Sequence, residues 1–177
     1  MLKKKKEKIS REKIINKISH LVRPGGMDVD RWQIALRKQI ACELKLRIKN
    51  TGSHPVFTNF KVTNPATEKI YRVFIGGGDL GMSYCSCPDF AINTLGTCKH
   101  IESVLHRLRR NKANRLLLEA GWQPEQPAVS LRYGLKRQAV FIAGGKMSDR
   151  LRSLAREYFR DGALTQEGIL RDRKSVV

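Results

Sequence analysis

Acidic residues are scarce in this chain. Against 35 lysines and arginines it has 16 aspartates and glutamates, a formal net charge of +19 over 177 residues. Solubility alone seldom needs such a surplus. It points to a polyanionic partner, nucleic acid before an anionic membrane surface. Long apolar runs are also missing. The longest, residues 139–143, has five residues, whereas a membrane-spanning helix needs about 20. The charged start, MLKKKKEKISREK, is followed by no apolar stretch of about seven or more, so it does not read as a secretory signal. A cytoplasmic location is the expectation.

Nucleotide-binding loops are lacking as well. Residues 76–81 satisfy GxGxxG after a predicted strand, but another strand and a cysteine cluster follow, not the helix whose N-terminus would face a pyrophosphate. The stretch reads as a glycine-rich hairpin loop. VFIAGGKMS has Val140 where a P-loop needs its first glycine and Met147 where it needs a hydroxyl. With no ATP site in view, the chain is not expected to be an enzyme.

Cysteine is sparse too, yet three of the four cysteines and one of the four histidines fall within YCSCPDFAINTLGTCKH. Cys85 and Cys87 form CxC; ten residues later Cys98 and His100 form CxH. Two close pairs of soft or borderline ligands suit one tetrahedral structural Zn²⁺, and four protein ligands leave no open position for catalysis. Three thiolates and a neutral imidazole give the site a formal charge of about −1, which Lys99 and the basic helix after it can offset. Pro88 disfavours helix at Cys87 and begins a short turn. Cys98 falls at a helix N-terminus, where unpaired N–H groups favour a thiolate. Two other readings are open: cysteines buried as small apolar residues, and a redox dithiol. The first must treat the paired spacing as coincidence, and the second leaves His100 unexplained. Cys42 stands alone and reads as a helix-face residue; His20, His54 and His106 have no partner at ligand spacing. Asp89 could hydrogen-bond the second nitrogen of His100 or cap a turn.

Hydrophobic periodicity predicts an α+β fold, a small antiparallel sheet with flanking helices around the zinc site. Ile14, Ile15, Ile18, Leu21 and Val22 predict a basic amphipathic helix ending at Pro24, docked on the domain or lying on a membrane surface. Asp28 or Asp30 caps a second helix through Trp32, Ala35, Leu36 and Ile40. Alternation around Leu44, Leu46 and Ile48 predicts a strand. VFTNFKVTN and KIYRVFIG predict two more, joined at Asn64–Pro65, and residues 82–85 a fourth. Ile101, Val104, Leu105 and Leu108 define a helix face, and Leu116 to Leu118 a further short helix. Residues 122–130 read as a linker, SLRYGLKRQAVFIAG as a hairpin, and SDRLRSLAREYFRDG as a helix capped by Ser148 and stopped by Gly162. The expected division is a basic tail or helix at 1–26, a zinc-binding α+β domain at 27–121, and a linker, hairpin and helix at 122–177.

CxC, a spacer and CxH, with strands before and a helix after, resembles the SWIM-type zinc finger. The wider stretch HPVFTNFKVTNPATEKIYRVFI to YCSCPDFAINTLGTCKHIESVL resembles the accessory region ahead of the motor in bacterial Swi/Snf-type DNA helicases, over roughly residues 31–165. The resemblance implies that Cys85, Cys87, Cys98 and His100 are zinc ligands and that the role is helicase-associated. It has no counterpart here for the ATP-hydrolysing motifs. The last six residues, 172–177, are also what read-through of a widely used sequencing adapter encodes. The expectation is that they are artefactual and that the natural protein continues into a motor, with residues 165–177 packing on nothing.

Arg107, Arg109, Arg110, Lys112 and Arg115 follow the cluster, with no acid before Glu119. They read as a phosphate-tracking surface, for DNA before RNA, or as a solvated helix face. Tyr84 and Phe90 read as base-stacking platforms or as core beside the metal. Two functions follow: a zinc module engaging nucleic acid, or a zinc-stabilised adaptor for a protein partner.

Overall fold

The structure is a computed structural model and describes residues 17–165. The α+β expectation holds, with two four-stranded antiparallel sheets in place of one. Helix α1 (Val29–Glu43) starts where Asp28 accepts the Arg31 N–H. Strands β1 (Arg47–Asn50), β2 (Asn59–Thr63), β3 (Ile70–Ile75) and β4 (Ser83–Cys85) pair in sequence order. Period-two alternation sends Ile48, Phe60, Val62, Val73, Ile75 and Cys85 to the face covered by α3 (Lys99–Arg110), while Arg47, Lys49, Lys61 and Arg72 are exposed on the other. Helix α1 packs on the outside of α3, where the Ser103 hydroxyl reaches the Ala41 carbonyl at 3.5 Å. Helix α4 (Lys112–Ala120) ends at Gly121, whose φ of 78° needs glycine.

Residues 76–81 link two antiparallel strands, as a hairpin loop must. The second sheet runs β5 (Ala128–Arg132), β6 (Gln138–Ile142), β8 (Ala163–Leu164) and β7 (Phe159–Arg160), with α5 (Asp149–Tyr158) between β6 and β7. Its first hairpin touches the zinc module. The Tyr133 N–H donates to the Gly81 carbonyl at 2.8 Å, and the Tyr133 ring packs against Tyr84 and Phe90.

Three expectations are corrected. Residues 18–22 form no helix. Gln39 bonds both the N–H and the carbonyl of Ile18, and the Trp32 indole donates to the Ser19 carbonyl. Side chains of α1 thus take the groups that a helix would use, and the segment runs along α1 as a strap. Ile14 and Ile15 lie outside the described residues, as do residues 166–177. The linker at 122–130 is shorter than expected, because β5 begins at Ala128. Helix α5 starts at Ser148, which accepts the Leu151 N–H, but ends at Tyr158, before Gly162. Phe159 leaves the helix to pack on Phe141, and Gly162 sits in the β7–β8 turn, its carbonyl accepting the Phe141 N–H at 2.7 Å.

Candidate metal centre

Three adjoining elements bring four side chains to one point. Cys85 ends β4. Cys87 caps the one-turn helix α2 (Pro88–Ile92), with Pro88 at its first position, and accepts the Phe90 N–H on sulfur at 3.4 Å. Gly96, at φ 70°, turns the chain back. Cys98 is the N-cap of α3, and His100 stands in that helix's first turn. All four side chains are buried, and their ligand atoms lie within 4.8 Å of one another. The Cys85 sulfur is 3.8 Å from His100 Nδ1. Zn–S bonds of about 2.3 Å and Zn–N bonds of about 2.0–2.1 Å in a tetrahedron place neighbouring donors about 3.5–3.8 Å apart. The donor set therefore fits one structural zinc ion, held by Cys85, Cys87, Cys98 and His100.

The electrostatics make the same demand. Cys87 is held below the ordinary thiol range, first by the hydrogen bond from Cys85 and then by that from Cys98. Cys85 is pushed up to about 12, chiefly by its hydrogen bond with Cys87. Cys98 is pushed up by Cys85, then by Cys87, then by burial. Three thiolates can share this buried volume only around a cation.

The supporting shell departs from expectation at Asp89. Its carboxylate accepts a forked pair of bonds from Arg37 of α1, Nη2 at 2.7 Å and Nε at 3.3 Å, and does not orient His100. Arg37 matches the planar carboxylate and takes both oxygens. His100 instead packs against Tyr71, ring centroids 4.5 Å apart. Phe90 is core, 6% exposed, and half-buried Tyr84 packs on it edge to face. Cys42 and His106, unpaired in the sequence reading, meet at 3.5 Å, Sγ to Nδ1. Their 64-residue separation hides that contact from any local motif.

The basic residues after the cluster are exposed but divided. Arg107 and Arg110 share one side of α3, and Arg107 donates to the Ile48 carbonyl at 2.9 Å. Arg109 lies on another side, in a cleft with Lys38, Glu102 and the glycine loop. Lys112 and Arg115 belong to α4, where Arg115 stands 3.9 Å from Glu119. Arg107, Arg109 and Arg110 occupy the last turn of α3, where cations also suit the helix dipole.

Among the described residues no helix is long and apolar enough to cross a membrane. No curated protein and no solved structure matches the chain. The family model described as SWIM zinc finger matches residues 71–109, which begin at the tyrosine packed on His100 and end in the last turn of α3. A SWIM zinc finger domain with a buried Cys₃His cluster thus occupies residues 71–109 of this chain.

Proposed function

We propose that the chain is a zinc-stabilised module that engages nucleic acid and serves as the accessory region of a bacterial Swi/Snf-type helicase. The observation that carries the nucleic-acid part is the net charge of +19 over the 177-residue chain that carries the folded zinc site. The helicase part rests on the resemblance of the segments around residues 54–105. Zinc holds the scaffold and takes part in no reaction. With no ATP-binding loop at residues 76–81 or 140–147, ATP hydrolysis in this reading belongs to a motor that acts beside the chain.

The test is a salt titration of the zinc-loaded full chain against labelled DNA. Phosphate neutralisation releases counterions, so affinity should fall steeply with salt, with weak sequence preference. No binding to DNA or RNA at low salt would reject this reading in favour of a protein adaptor. The helicase part is tested separately. The chain alone should hydrolyse no ATP, and it should raise the DNA-stimulated ATPase of a Swi/Snf-type motor supplied in trans.

A further inference from the structure

The strongest unassigned feature is on the sheet face turned away from the zinc. Lys49 of β1 lies directly opposite Lys61 of β2, and Lys61 lies directly opposite Arg72 of β3. All three side chains are exposed, and none has an ion-pair partner among the described residues. Three cations thus form one row across three strands, spanning about 10 Å at the usual strand spacing. Arg47 adds a fourth on the same face of β1.

Like charges placed directly opposite one another weaken a sheet, so the row needs a reason. Edge protection accounts for a lysine on β1, an edge strand. It does not account for Lys61 and Arg72, because β2 and β3 are interior strands. The acid nearest to Arg72 along β3 is Glu68, in the β2–β3 turn, and Glu43 is paired with Lys17. One pair further along the same face, half-buried Phe74 stands opposite half-buried Tyr84.

From this geometry we infer that the open face of the first sheet binds a single strand of nucleic acid, with Lys49, Lys61 and Arg72 taking successive phosphates. Sheet twist turns neighbouring strands by about 20–25°. A flexible strand can follow such a row, whereas a rigid duplex meets it at fewer points. Tyr84 is taken up by Phe90 and Tyr133, so half-buried Phe74 is the ring beside the basic row against which a base can settle. The inference rests on the nucleic-acid reading above and specifies its contact surface.

The experiment uses the zinc-loaded full chain, a fluorescent oligo-dT and a duplex of the same length, each titrated across salt. The triple variant Lys49→Gln, Lys61→Gln, Arg72→Gln is compared with Arg107→Gln, Arg109→Gln, Arg110→Gln. Zinc content and circular dichroism check that both fold. Loss of three phosphate contacts should flatten the slope of log affinity against log salt on the single strand by about 2. The sheet variant should lose that slope and the helix variant should lose less. An unchanged single-strand slope in the folded sheet variant overturns the inference, as does wild-type preference for the duplex with equal losses on both ligands. Failure of the wild-type chain to bind either ligand is a different result and rejects the nucleic-acid reading itself.

Discussion

Arg37 and Asp89 lie 52 residues apart and form a forked ion pair, 2.7 Å at its shorter contact. Asp89 sits two residues after the ligand Cys87, so this pair ties α1 to the turn between the two ligand pairs. Arg37 is 16% exposed and Asp89 36%, less wet than an ordinary surface pair. Arg37→Ala should therefore cost about 1–3 kcal/mol, measured by denaturant unfolding of the zinc-loaded protein. Arg37→Lys should recover only part of that, because a point charge cannot fork. Equal stability of Arg37→Ala and wild type would remove the pair from the list of supports.

Zinc should bind at one ion per chain. Binding free energy at such sites is folding free energy, about 10–16 kcal/mol apparent for zinc-finger peptides. Cys98→Ser or a strong chelator should unfold residues 82–108, seen as lost hydrogen-exchange protection there. Full zinc occupancy in Cys85→Ser/His100→Ala would sink the ligand assignment.

Thiol reactivity should separate Cys42 from the cluster. Cys42 is exposed, whereas the other three are buried. Its pKa is raised by desolvation and then by the charges of Glu43 and Glu102. Only the thiolate reacts, so at neutral pH Cys42 should alkylate more slowly than a free cysteine and speed up as pH rises. The zinc-loaded chain should show one reactive thiol and the chelated chain four. Cys42→Ser should leave zinc content unchanged.

Gly81 is a backbone site. Its φ is 85°, and a Cβ there would run into the Tyr133 carbonyl. Gly81→Ala should destabilise by more than about 1 kcal/mol and loosen the β5–β6 hairpin from the zinc module, visible as faster exchange of the Tyr133 amide. Gly145→Ala, with open space around its Cβ position, is the matching control.

What the sequence made legible was local. The ligand pairs lie within 16 residues of chain, so spacing alone displays them, and α3 shows its buried face through Ile101, Val104, Leu105 and Leu108. Ser148 and Asp28 announce their helices by chemistry that acts three residues away. What stayed hidden required partners far along the chain. The sequence of residues 18–22 is helical in period, but Gln39 and Trp32 hold Ile18 and Ser19 against α1, and the Ser19 hydroxyl takes the Leu21 and Val22 N–H groups in a local bend. Asp89 has a plausible neighbour in His100 and a better one in Arg37. Lys49, Lys61 and Arg72 are unremarkable singly; only strand register aligns them.

Strand β3 joins these features through its alternation. Tyr71 faces inward against the ligand His100, and its immediate neighbour Arg72 faces outward. Val73 is opposite the ligand Cys85. A strand has two possible phases, and a slip by one residue exchanges its faces. By fixing Cys85 against α3, zinc reinforces the phase that buried Phe60, Val62, Val73 and Ile75 already favour. The ion thereby adds to the hold on the side chains that the module shows to its surroundings, at a distance from its own ligands and without touching any of them.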